Sequence, residues 1–99
     1  MLVDRAGFSV RCGEFVCFLG NTMEFRLAER LLRARGQYLS LDTLRAEVWE
    51  NPQIEKNTVQ RTVSNLRRRL RDDGLAGVEL DGRQRDHYCL RHAATAPAS

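Results

Sequence analysis

Residues 57–71, Asn-Thr-Val-Gln-Arg-Thr-Val-Ser-Asn-Leu-Arg-Arg-Arg-Leu-Arg, contain no acid and four large apolar side chains. Those four, Val59, Val63, Leu66 and Leu70, are spaced four, three and four apart. At about 100° per residue they fall within roughly 60° of one another on a helix. Arg61 and Arg68 then point nearly opposite the stripe, with Ser64 and Asn65 beside them, and Arg67, Arg69 and Arg71 lie further round. A helix of this kind docks by one thin edge and offers Arg, Asn, Gln and Ser outward. That is chemistry suited to reading a DNA major groove.

A merely solvated face is the competing explanation. Fifteen Arg against one Lys, Lys56, is a bias that GC-rich codons alone can produce. Codon usage does not explain why acids vanish from 57 to 71 and return at once as Asp72 and Asp73, when elsewhere acids and bases alternate, as in Glu24-Phe25-Arg26.

Ninety-nine residues suffice for one domain with a modest core. An apolar fraction of 42% with only two Pro argues for a folded globule rather than disorder. The net charge of +3 is small, so its placement matters more than its size. No apolar run approaches the ~20 residues of a membrane span, and the N-terminus has no basic flank leading into an apolar stretch. A cytoplasmic chain with no membrane partner is expected. Cys12, Cys17 and Cys89 match no metal-knuckle spacing, and the expectation is reduced, structural thiols with no metal and no cofactor.

Ahead of the basic helix, Phe8–Arg11 and Glu14–Leu19 read as a hairpin turning around Cys12-Gly13, with Leu2-Val3 as a short outer strand. The second arm is apolar on both faces and predicts cover on both. A first helix opens at Asn21, with Glu24 as reciprocal cap partner, buries Phe25, Ala28, Leu31 and Leu32, and stops at Gly36. A second begins at Ser40, runs to Trp49, and is ended by Asn51-Pro52; Trp49 extends its apolar face and is read as a core plug. The third starts after Asn57, with Gln60 completing a cap pair, and stops before Gly74. Val78–Leu80 and His87–Leu90 read as two strands around a polar tip, Asp81–Asp86, that carries Arg83 and Arg85. Residues 1–92 are expected to form the domain and 93–99 a flexible tail.

Three helices, the third basic, followed by a hairpin with arginines at its tip give an α+β winged helix-turn-helix layout. The ordered set Glu24-Phe25-Arg26-Leu27, Gly36, Ser40, Leu44, Val48-Trp49, Thr58-Val59, Leu66-Arg67-Arg68, Tyr88 and Leu90 resembles the DNA-binding effector domain of OmpR/PhoB-type response regulators. The resemblance spans nearly all of residues 8–90. It implies a short N-terminal sheet packed on three helices, a third helix in the major groove and a wing on the adjacent minor groove. It also implies RNA polymerase as a partner of the loop 50–56, and weakly associated protomers on tandem sites. The family places a phosphoacceptor receiver domain ahead of this module. Here Met1 stands almost directly before it, so control by phosphorylation is no part of the reading. The N-terminal sheet has two or three strands against the family's four, His87 stands where a Gly precedes the wing tyrosine, and the tip is about two residues longer. Tyr88 is expected to anchor the wing.

Gln60, Arg61, Ser64, Asn65 and Arg68 are the candidates for base edges: Arg forks onto guanine O6 and N7, Gln or Asn onto adenine N6 and N7. Thr58, Arg67, Arg69, Arg71, Arg83 and Arg85 are the candidates for the sugar-phosphate backbone, either wing arginine also suiting a narrow minor groove. Arg67 lies close to the apolar stripe and has a second reading, pairing with an acid such as Glu47 or Glu79. The main rival function is a winged-helix module that binds an acidic protein surface and not DNA. RNA binding lacks an aromatic platform. An enzyme is disfavoured because His87 and Cys89 have no third group to orient them.

Overall fold

A computed structural model describes residues 2–75, 78–82 and 84–92 of the chain. The first sheet is a meander of β1 (Leu2–Asp4), β2 (Ser9–Cys12) and β3 (Phe15–Phe18), with Val3 opposite Val10 and Val10 opposite Cys17. Side chains alternate across a strand, so Val10 and Cys17 are sealed inside. The row Leu2, Arg11 and Val16 faces the other way.

The cover expected on both faces of the second arm is therefore corrected. Val16 and Phe18 remain 46% and 60% exposed because the helices cover one side of this small sheet, and Phe15, on the face of Cys17, is still 54% exposed at the sheet's edge. Phe15 lies over Gly74, where an added Cβ would come within 2.8 Å of its ring, and Gly74 itself sits at φ +87. Both facts require glycine at the end of the third helix.

α1 (Met23–Arg33) buries Phe25, Leu27, Ala28 and Leu31. Its cap is Thr22, not Asn21: the Phe25 amide donates to the Thr22 hydroxyl at 3.4 Å. Glu24 turns instead toward the third helix. β4 (Leu39–Ser40) leads into α2 (Leu41–Glu47), whose cap is Ser40 as expected, accepting from the Thr43 amide at 3.1 Å. α2 ends two residues before Trp49, since the chain turns back through Glu50 at φ +53 and the Asn51 amide donates to the Arg45 carbonyl at 2.9 Å. Trp49 is half-buried against the core.

α3 (Lys56–Asp72) starts two residues earlier than its sequence suggests, capped by Glu55 without a side-chain bond, so Asn57 lies inside the helix. Its seventeen residues span about 25 Å at ~1.5 Å each. Val59, Val63, Leu66 and Leu70 are all at most 3% exposed, as the spacing predicts. Thr62 joins that buried face by donating back to the Thr58 carbonyl at 3.0 Å.

The chain closes with β5 (Val78–Asp81) and β6 (His87–His92), paired with Leu80 opposite Leu90. β4, which sequence alone reads as a cap, pairs with β6 through Leu39 and Tyr88, giving a second sheet of order β4-β6-β5. Asp81 belongs to β5 rather than to the tip. It is 3% exposed, accepts the Tyr38 hydroxyl at 2.7 Å and pairs with Arg91. The tip is thus 82–86. The expected tail, 93–99, lies outside the described residues.

Candidate nucleic-acid interface

The seam formed by Val59, Val63, Leu66 and Leu70 fixes which side of α3 faces outward. Gln60, Arg61, Ser64 and Arg68 are exposed on that side, and Asn65 is half-buried at its margin. Among the described residues Arg61 has no hydrogen-bond or ion-pair partner. Arg68 donates through Nη2 to Asn65 Oδ1 at 3.2 Å, and Asn65 donates through Nδ2 to Glu24 Oε2 at 3.4 Å. An amide between a guanidinium and a carboxylate has one orientation that satisfies both, oxygen toward the cation and nitrogen toward the anion. Among the described residues, neither Arg61 nor Arg68 is locked onto a carboxylate. Glu24 as a neighbour of this surface could not be read locally, since it lies 41 residues from Asn65.

The remaining α3 arginines divide by what they touch. Arg71 is exposed and, among the described residues, unpartnered. Arg69 donates through Nη2 to the Phe18 carbonyl, tying α3 to the first sheet. Arg67 places Nε and Nη2 on one acceptor, the Leu80 carbonyl, at 3.3 and 3.1 Å. Of the acids named in its second reading, Glu47 is instead taken by Arg30 at 2.9 Å. Thr58 is half-buried within the first turn of α3.

The hairpin of β5 and β6 stands beside α3 and encloses with it a crevice of about 540 Å³, walled by Gln60, Ser64 and Arg67 on the helix and by Glu79, Gly82 and Tyr88 on the wing. Tyr88 is 7% exposed and its ring fills the space where a Cβ on Gly82 would sit, 3.0 Å away, so it anchors the wing as expected. Arg85 is exposed at the tip, and its carbonyl accepts from His87 Nδ1 at 2.8 Å. Arg83 lies outside the described residues. At the foot of the wing Lys56 Nζ stands 2.5 Å from Asp86 Oδ1. This tie was missed in the sequence, where the single Lys has no distinguishing neighbour.

A basic helix held by one edge, with a β-hairpin alongside it and a small sheet behind, defines a winged helix-turn-helix protein. The sequence profile of the family described as "Transcriptional regulatory protein, C terminal" matches residues 19–84, from the end of the first sheet to the wing tip. The chain belongs to that family, the OmpR/PhoB-type effector domains, whose members are DNA-binding regulatory domains of transcription and not enzymes. No curated protein matches the chain. No helix of the described residues is long and apolar enough to cross a membrane.

Proposed function

We propose that the chain binds double-stranded DNA by sequence, with α3 in the major groove and the wing tip, 82–86, on the adjacent backbone or minor groove. One observation carries this reading: the outward side of α3 holds Gln60, Arg61, Ser64 and Arg68 exposed, with no carboxylate of the described residues on either arginine. Guanidinium groups already paired with acids would have to shed that pairing before meeting a base. Arg61 and Arg68 fork onto guanines, and Gln60, Ser64 and Asn65 complete the set that faces base edges. Thr58, Arg71 and Arg85 grip phosphates, joined by Arg83 of the same tip. Arg69 adds the donors that its bond to Phe18 leaves over.

Two finer contacts follow from family membership and are proposed with it. The loop between α2 and α3 offers Glu50, Pro52, Gln53 and Glu55 outward to RNA polymerase. It is braced by Arg45 Nε on the Ile54 carbonyl at 2.9 Å and by the Gln53 amide on Asn51 Oδ1 at 3.0 Å. Protomers associate weakly on tandem sites.

The test is selection of bound duplexes from a random library, followed by affinity against salt. An enriched motif and a steep negative slope of log affinity on log salt are expected. A library that enriches nothing, with binding flat in salt, would remove DNA as the ligand and leave an acidic protein surface as the occupant.

A further inference from the structure

An ion pair and a forked hydrogen bond tie the wing to α3, at points eleven residues apart on the helix. Lys56 holds the foot of the wing through Asp86, and Arg67 holds strand β5 through the Leu80 carbonyl. At ~1.5 Å per residue these points are about 16 Å apart along the axis, so together they fix the wing's tilt as well as its distance. β5 is the edge strand of its sheet, where alternate carbonyls point away from the ladder. Arg67 supplies two donors to one of them. The return of the hairpin is fixed as well, because Asp86 sits at φ +58 with its carbonyl accepting the Leu41 amide at 2.8 Å.

We infer that Arg67 is a positioning residue that sets the gap between α3 and the wing, and with it the spacing between bases read in the major groove and the flank touched by the tip. It acts through Leu80 and not by gripping DNA. The inference rests on the reading that α3 and the wing meet the same duplex. A forked guanidinium suits this role because Nε and Nη2 converge on one carbonyl at a fixed angle, which an ammonium on a flexible stem does not reproduce. The fork spans the crevice that Gln60 and Ser64 line on the helix and Glu79 and Gly82 line on the wing.

The test uses the full chain as wild type, Arg67→Ala and Arg67→Lys, each taken through duplex selection, a salt series, and amide exchange in the absence of DNA. Arg67→Ala is expected to retain the core motif read by α3 and to lose preference at the flank. Its affinity for a site carrying both parts should fall roughly tenfold, about the loss of one charge-assisted hydrogen bond. The salt slope should stay at the wild-type value, and amides of residues 79–82 should exchange faster in the free protein. Arg67→Lys should behave like Arg67→Ala at the flank. If Arg67→Ala keeps both parts of the motif and flattens the slope by about one unit, or if Arg67→Lys restores wild-type behaviour, Arg67 is a phosphate contact and the inference is overturned alone. A wild-type selection that yields no motif overturns the DNA reading and this inference with it.

Discussion

Lys56 Nζ lies 2.5 Å from Asp86 Oδ1, joining the first turn of α3 to the foot of the wing. The Lys56 ammonium paired with it holds the Asp86 carboxyl below its ordinary range, and the nearby charges of Arg85 and His87 push the same way while desolvation opposes them. A folded value below the unfolded one, ~3.9 for Asp, means the pair's contribution is present above about pH 4 and is lost as pH falls through the lower folded value. Both side chains are about two-fifths exposed, so solvent screening keeps the contribution small. Carboxyl resonance titration should place Asp86 below the usual carboxylate range in the wild type and return it upward in Lys56→Met. An unchanged Asp86 titration in that variant would show that the bond does not persist in solution.

Replacing Arg61 or Arg68 with Ala should cost about 1–3 kcal/mol on a selected duplex and relax preference at one base pair each. Arg71→Ala should instead weaken every duplex alike and reduce the salt slope by about one. The contrast matters more than either number. Should Arg68→Ala leave affinity unchanged across the selected pool, α3 does not enter the groove by the side described.

The α3 seam was legible in the sequence because a helix converts spacing directly into direction: Val59, Val63, Leu66 and Leu70 could share a face in no other regular structure, and all four are buried. What could not be read depends on partners far along the chain. Asp81 followed by Gly82 has the local signature of a turn, yet Tyr38, 43 residues away, and Arg91 draw it into β5. β4 is two residues long and exists only because Tyr88 and His87 pair with it. The slip from Thr22 to Asn21 has a different origin, since adjacent residues of equal capping chemistry cannot be ranked without the backbone. Glu24 fits a capping box by spacing, but Asn65 offers it a bond that the helix start does not. On α3 itself the sequence shows five arginines around one helix, whereas the nearby Leu80 and Phe18 carbonyls separate Arg67 and Arg69 from Arg61, Arg68 and Arg71.

The three thiols should differ sharply in reactivity. Cys17 and Cys89 are fully buried, and Cys12 is half-buried. Burial pushes the Cys17 thiol up to about 12, with further upward pressure from the Asp73 carboxylate and a downward pull from Arg69. A thiol is nucleophilic only as thiolate, so at pH 8 native protein should be alkylated at Cys12 first, with Cys17 and Cys89 labelled only after denaturant is added. Mass spectrometry of peptides after a timed iodoacetamide pulse reads this directly. Early labelling of Cys17 would mean that β3 opens from the body on the timescale of the pulse.

Asp81 should matter more to the wing than any charge at its tip. Its carboxylate accepts the Tyr38 hydroxyl at 2.7 Å and pairs with Arg91, which also donates to Tyr38 Oη at 3.2 Å and lies 5.7 Å from the Tyr38 ring centre. Removing the shared acceptor takes a bond from both side chains, so Asp81→Ala should lower the midpoint of unfolding. Tyr38→Phe leaves Arg91 on Asp81 and should cost less. The phenol provides a second readout. Its hydrogen bond to Asp81, then desolvation and the carboxylate's charge, raise the Tyr38 value above the ordinary ~10, because ionising it would forfeit the bond and set two anions side by side. Titration of the Tyr38 ring should therefore fall back toward the ordinary range in Asp81→Ala. A variant that unfolds no more easily than wild type, with Tyr38 still titrating high, would show that another group holds the hydroxyl and that β5 does not depend on this acid.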